Sequence, residues 1–199
     1  MISRRQVLFG VAALPLLRPE HLLAPSRPAS LLVTAAHAQI GVTTIYDGAY
    51  RKIGYPGGDI EPERGVCTDV VVRAYREALH VDLQRLVHED MAKDFPAYPA
   101  KWGLAEPDAN IDHRRVLNLM IFFTRCGAAL AAAEALKPGD LVTQMIAGEL
   151  PHISLVSDRP APGTRRPLVI HNFGNGVEYA DMLARHPITG RYRYLPRTA

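Results

Sequence analysis

The sequence predicts an α+β fold in which helices come first and an antiparallel sheet follows. Apolar residues recur at helical spacing from Cys67 to Leu79 and again from His113 to Arg125. From Leu136 onward the pattern changes to short apolar or alternating runs separated by turn residues, which is typical of strands. Because the helical segments precede the strands, a meander of antiparallel strands is favoured over a parallel sheet with interleaved helices.

The helical half of the chain is predicted in three parts. Residues 41–53 carry isoleucine and alanine at a spacing of four, which indicates a short helix or helical turn. A loop rich in glycine and proline then leads to a helix whose first turn contains Cys67. Residues 95–110 contain three prolines together with Tyr98 and Trp102, which predicts a loop, and Asp112 is expected to cap the helix that begins at His113.

The second half is predicted to contain four strands. The first follows the turn that ends at Gly139, and each of the others is bounded by proline, glycine or charged residues. The three later strands are predicted at residues 152–157, 168–172 and 191–195.

The first 38 residues are predicted to be an export signal of the twin-arginine type, which would use the twin-arginine export machinery as a partner. Arg4 and Arg5 stand directly before an apolar run that is shorter than the roughly 20 residues needed to cross a bilayer. Small residues at positions 36 and 38 indicate cleavage before Gln39. Residues 39–199 are then one domain, expected in the periplasm or otherwise outside the cytoplasm, with no stable membrane span.

The leader also accounts for the net charge of +3. It contains four arginines and one glutamate, so the remaining chain has 19 basic and 19 acidic residues. A basic domain would have suggested a nucleic acid partner, and a neutral one gives no such indication.

Two cysteines, Cys67 and Cys126, are the only ones in the chain. A disulfide between them remains an alternative, but a domain of about 160 residues can bury an adequate core without one. Two free thiols are favoured, with Cys126 expected to pack at the end of an apolar helix.

Cys67 is the candidate nucleophile because of its place in the predicted helix. Unsatisfied N–H groups and the positive end of the helix dipole lie at the first turn, where they favour a thiolate and lower the pKa of a thiol. The alternative is that Cys67 packs as a small buried hydrophobic residue.

The strands are expected to bring two imidazoles together. If residues 152–157 and 168–172 pair as a hairpin, His152 lies opposite His171 or Asn172. A cysteine hydrolase needs a thiolate, a base and a polar group that orients the base, so Cys67, His152 and one of those two residues would complete the set. Either histidine could instead be a surface or core residue. A zinc site is disfavoured because no pair of ligands is closely spaced, and no metal or other cofactor is expected.

Several motifs in this order resemble known families. The segments Gly65–Val71, Asp112–Leu119 and Pro187–Tyr194 look like an uncharacterised bacterial family, domain of unknown function 1287, over residues 40–196. Tyr55, Cys67 and the segments Leu136–Val142, His152–Val156 and Ile170–His171 resemble NlpC-type cell-wall peptidases of the papain-like superfamily.

The resemblance implies a papain-like fold and assigns roles to individual residues. It makes Cys67 the nucleophile, His152 the general base and acid, and His171 the residue that orients His152. Tyr55 would help to bind the oxyanion. The NlpC-type enzymes usually have Ser-Gly after the cysteine, whereas this chain has Thr68 and Asp69.

Because of this departure from the pattern, Asp69 has two possible roles. It could form an ion pair with a nearby arginine, or its side chain could narrow the cleft. The ion pair is favoured. Trp102 and Tyr98 could lie at the rim of a substrate groove, or they could be aromatic anchors of the core.

Three functions remain open from the sequence. The first is hydrolysis of an amide bond through an acyl-enzyme on Cys67, with peptidoglycan stem peptides or a similar amide as substrate. The second is a non-catalytic module that binds a peptide or glycan in the same groove. The third is a thiol acyltransferase, which would pass the acyl group to an amine or lipid instead of water.

Overall fold

A computed structural model describes residues 25–196 of the 199-residue chain. The α-helices are α1 (Arg27–His37), α2 (Cys67–Leu79), α3 (Leu83–Lys93) and α4 (Val116–Arg125). The strands are β1 (Ile45–Tyr46), β2 (Arg64–Gly65), β3 (Leu141–Ile146), β4 (Leu150–Pro160), β5 (Pro167–Asn172), β6 (Val177–Ala180) and β7 (Ile188–Tyr192). Three short 3-10 turns lie at Phe95–Ala97, Ala100–Trp102 and Asp112–Arg114.

The main sheet has five antiparallel strands in the order β6-β5-β4-β3-β7. The predicted α+β fold is therefore confirmed, with four α-helices in the described part of the chain and the sheet formed by its second half. Strand β4 lies in the centre, and it carries His152 close to its beginning.

The two faces of the sheet are covered differently. Leu141, Leu155 and Ile170 pair in register on one face and pack against the helices in the larger core. Val142 and Val156 lie on the other face, in a smaller apolar cluster that the segment around residues 182–183 covers. Since side chains alternate along a strand, odd-numbered and even-numbered residues in this part of β4 point to opposite faces of the sheet.

Helix α2 forms where the apolar periodicity predicts it. Its buried face packs against β4 and α1, and the Asp69 carboxylate accepts a hydrogen bond from the Val66 N–H at 2.7 Å, which satisfies a donor at the N-terminus. His80 ends the helix in a left-handed conformation. Cys67 is the first residue of the helix, as expected.

Helix α1 lies within the segment predicted to be a leader. Leu32 and Ala36 are fully buried in the larger core, and just after the helix the Gln39 side chain donates to the Val70 carbonyl at 2.9 Å. Cleavage before Gln39 stays a prediction, and it would remove this helix from the core. The twin arginines lie outside the described residues.

Three predictions on the helical half need correction. The prediction of a helix at residues 41–53 is wrong. This segment contains β1, which pairs in parallel with β2, and each of these strands has two residues. The helix predicted from His113 begins as a 3-10 turn and becomes α-helical only at Val116. Asp112 accepts from the Asp108 N–H and is not the cap of α4.

The second half contains differences of detail. Strand β6 was not predicted, and β7 lies three residues earlier than the strand predicted at 191–195. Helix α3 also falls in a region whose apolar pattern is irregular. Among residues 25–196, none of the helices combines the length and apolar character that a bilayer crossing requires.

Candidate functional site

Cys67 opens onto a cleft of about 270 Å³ between the N-terminus of α2 and the loops around it. The walls include Tyr46 and Gly48 on one side and Lys101 and Trp102 on another. Cys67 is only 5% exposed, so its thiol lies at the floor of the cleft.

The thiol is protonated at neutral pH. Burial raises the pKa of Cys67 to about 11, although the N–H groups of Ile153, Thr68 and Cys67 itself lower it as they face the sulfur. The expectation of a lowered thiol pKa is therefore wrong: the helix N-terminus acts in the predicted direction, but loss of solvent outweighs it.

Both cysteines are free in the described chain, and no disulfide joins Cys67 to Cys126. Cys126 is exposed at the end of α4, not packed as expected. It offers an internal reference thiol outside the cleft.

The β4–β5 hairpin brings the two predicted imidazoles into contact. The His152 Nε2 and His171 Nδ1 atoms are 3.0 Å apart, and the rings are perpendicular. Both side chains are 2% exposed. Burial lowers the pKa of His152 to about 3, with further lowering by His171 and His186, and burial lowers the pKa of His171 to about 4.

The register places these imidazoles on the sheet face opposite to Ile153. His152 pairs with Gln144, while Ile153 belongs to the core on the helical side. The Cys67 sulfur faces the Ile153 amide, one residue away from His152. Within the described residues, the Cys67 thiol makes no hydrogen bond to either imidazole, so a thiol–imidazole pair is not preassembled.

Asn172 has a different role from His171. Its amide donates to the Gly65 carbonyl at 3.0 Å, two residues before Cys67, and its oxygen accepts from the Gly174 N–H. Of the two candidates for a partner of His152, the structure places His171 in contact and uses Asn172 to hold the segment that leads into α2.

The tyrosine at the cleft is Tyr46 and not Tyr55. Tyr55 is 45% exposed and lies edge-on against His88 of α3, with ring centroids 4.9 Å apart. Tyr46 lines the cleft, and burial together with the charges of Cys67 and Asp69 raises its pKa. Its segment was predicted to be helical, so no pattern in the sequence indicated this placement.

The two aromatic residues considered for the rim of the cleft have different positions in the structure. Trp102 lines the cleft from a short 3-10 turn, and the Arg115 guanidinium lies 4.2 Å from its ring centroid. Tyr98 is buried, and its hydroxyl donates to Asp90 at 2.7 Å. Trp102 is a rim residue, and Tyr98 is a core anchor.

Asp69 forms a buried ion pair with Arg114, in agreement with the favoured structural role. The Arg114 Nε and Nη2 atoms each donate to one carboxylate oxygen at 2.9 Å. Arg114 also donates to the carbonyls of Asp47 and Ala49, which flank Gly48 in the cleft wall. This one guanidinium therefore joins the start of α2 to the wall that carries Tyr46.

No group of three or more histidine, cysteine, aspartate or glutamate side chains within residues 25–196 is arranged to hold a metal ion. His152 and His171 contact each other without a third ligand of that kind.

We expect the histidine pair to make the fold sensitive to acid. Both residues stay neutral in the folded protein well below the usual histidine pKa of 6.5, whereas the unfolded chain takes up protons below that pH. Their contribution to stability is thus complete above pH about 6.5 and is lost as the pH falls towards 4 and 3. In urea unfolding, the change His171→Asn should shrink the stability difference between pH about 7.5 and 5 by about 2 kcal/mol.

The matched control is His80→Asn, since His80 is exposed and already left-handed, a conformation that asparagine tolerates. An unchanged pH dependence in the His171 variant would contradict the assignment of a buried neutral pair.

The fold and cleft define an α+β protein with a cysteine at a helix N-terminus and a buried histidine pair on two neighbouring strands of the sheet. The chain belongs to the family described as "Domain of unknown function (DUF1287)", whose profile matches residues 33–194. It is 49% identical over 167 residues to "Uncharacterized protein YijF" of Escherichia coli (strain K12), a match that covers 82% of this chain and 80% of that protein. The predicted membership of this family is confirmed.

Proposed function

We propose that the protein is an exported cysteine hydrolase that cleaves an amide bond, with peptidoglycan stem peptides as the substrate class. The observation that carries the proposal is the setting of Cys67, whose sulfur lies at the floor of a cleft and is faced by three backbone N–H groups. The resemblance to NlpC-type peptidases supports the substrate class, and the export signal predicted from the sequence at residues 1–38 supports export to the periplasm.

The chemistry assigns one step to each group. The Cys67 sulfur attacks the amide carbon and forms a C–S bond, and the C–N bond then breaks as His152 gives a proton to the leaving amine. Water next cleaves the thioester, which releases the acid and restores the thiol. The Cys67 N–H and the Tyr46 hydroxyl are the donors available to the oxyanion.

The tautomer of the histidine pair decides which nitrogen of His152 can act as the base. If the His152 Nε2–H donates to His171 Nδ1, the other ring nitrogen of His152 is free to accept the thiol proton. Because the free protein holds a neutral thiol and a neutral imidazole that make no hydrogen bond to each other, the proposal requires substrate binding to bring the two groups into contact before the proton is transferred.

The test is mass spectrometry of muropeptides incubated with the wild type, Cys67→Ala and the matched control Cys126→Ala. We expect product formation to fall at least about a thousandfold for Cys67→Ala, since a nucleophile is lost, and to stay unchanged for Cys126→Ala. Equal turnover by Cys67→Ala and the wild type would remove Cys67 from the mechanism.

A second function is a binding module that holds a peptide or glycan in the same cleft. The raised thiol pKa and the missing thiol–imidazole hydrogen bond within residues 25–196 favour it. It predicts that Cys67→Ala retains full affinity for the muropeptides and that no product forms with the wild type.

A further inference from the structure

We propose that the cleft beside Cys67 selects ligands that carry a carboxylate, and that the positive charge of Lys101 attracts this carboxylate. The inference deepens the proposed function and rests on it where the ligand is a substrate. An acidic peptide is then the chemical class that the cleft takes.

The charges that line the cleft are unbalanced. Its charged lining residues in the described chain are Lys101 and Arg114, and no acidic side chain lines it. Asp69 already holds Arg114 with two hydrogen bonds, so the charge of this arginine is compensated. Lys101 is exposed and forms no salt bridge within residues 25–196. One uncompensated positive charge therefore remains at the cleft.

The charged groups beside the cleft pair with one another and not with Lys101. The adjacent Trp102 has the guanidinium of Arg115 over its ring, and Arg115 pairs with the buried carboxylate of Asp112 at 3.1 Å. The Asp69 carboxylate also accepts the Val66 N–H and is 3% exposed. At the floor, the first turn of α2 adds N–H groups that favour an anion.

The rest of the lining indicates what accompanies the carboxylate. Ile111, Val116 and Leu117 provide an apolar surface next to the indole of Trp102. A short peptide with one carboxylate and an aliphatic side chain would match both parts of this lining. In a chain whose residues 39–199 are formally neutral, such selection depends on the local charge and not on the overall field.

The selection can be measured without enzyme turnover. Iodoacetate and iodoacetamide are close in size but differ in charge. Both alkylate Cys67 after its thiol gives up a proton to the solvent, and a C–S bond forms as iodide leaves. In a Cys126→Ser background, the ratio of the two alkylation rates should fall about threefold for Lys101→Gln and about tenfold for Lys101→Glu. The effect should weaken at high salt.

Lys137→Glu is the matched control, since Lys137 is exposed in the turn before β3 and outside the cleft lining. Equal ratios for Lys101→Glu and Lys137→Glu would overturn the proposal, whatever the outcome of the muropeptide assay. A fall in the ratio confined to the Lys101 variants would support it even if the protein proves to be a binding module.

If the wild type does cleave muropeptides, a second arm uses one product-forming peptide with its carboxylate free or amidated. We expect amidation to raise KM severalfold for the wild type and to have little effect on Lys101→Gln. An equal effect of amidation on both proteins would contradict the role of Lys101.

Discussion

A chain that begins at Gln39 should be less stable than one that begins at Pro25 by about 5 kcal/mol. Leu32, Val33 and Ala36 of α1 are buried in the larger core, and complete burial of a leucine or valine contributes about 1.5–3 kcal/mol each. A loss of this size is comparable to the total stability of many domains. Urea unfolding of the two chains, followed by circular dichroism, measures the difference.

Two point variants of the longer chain test the same contact without truncation. Leu32→Ala should cost about 2–5 kcal/mol because it leaves a cavity between α1 and α2. The neighbouring Leu31, which is 42% exposed, provides the control, and Leu31→Ala should change stability by less than about 0.5 kcal/mol. Equal stability of the Gln39 and Pro25 chains would show that α1 is dispensable and that the predicted boundary is compatible with the fold.

Loss of the Arg114 side chain should destabilise the protein by about 3–5 kcal/mol. In Arg114→Met the Asp69 carboxylate would remain buried without its charged partner. An uncompensated buried charge destabilises a fold more than replacement of both partners does. The carbonyls of Asp47 and Ala49 would lose their donors as well. Chemical unfolding at neutral pH gives the free energy.

A double-mutant cycle separates the pair from its surroundings. The variant with both Arg114→Met and Asp69→Leu should be more stable than the sum of the two single changes predicts, because neither charge is then left alone. The exposed pair of Arg85 and Glu89 is the control, and Arg85→Met should cost less than about 0.5 kcal/mol. If Arg114→Met and Arg85→Met cost the same, the buried pair does not hold the cleft wall.

The helix that carries Cys67 and the strands that carry the histidines could be predicted because their apolar patterns are local. Helix α2 has a regular buried face, and the apolar runs at residues 152–157 and 168–172, which lie within β4 and β5, have clear turn signals between them. The prediction of a helix at residues 41–53 failed because the spacing of apolar residues there matches a helix. Backbone N–H groups of this segment instead donate to the Glu63 carbonyl, on a distant part of the chain. Helix α1 was missed because an apolar leader and an amphipathic core helix share the same composition.

The candidate site was predicted in part for the same reason. Hairpin pairing brought His152 and His171 together, which follows from the alternation along two neighbouring strands. The protonation of Cys67 could not be predicted, because it depends on how deeply the packed core buries the sulfur. Tyr46 and Arg114 reach the cleft through contacts between residues far apart in the sequence, which composition and spacing do not encode.

Strand β4 has six consecutive buried residues, from His152 to Ser157, and hydrogen-bonded neighbours on both sides. Its amides should be among the slowest in the protein to exchange with deuterium, since they open only when most of the molecule unfolds. Pro151 of this strand lines the cleft, whereas Lys101 and Trp102 reach the same lining from a short 3-10 turn that has no sheet partner to slow its opening. Opening of the cleft is therefore expected at the turn that carries Trp102, while the strand that carries Pro151 stays fixed.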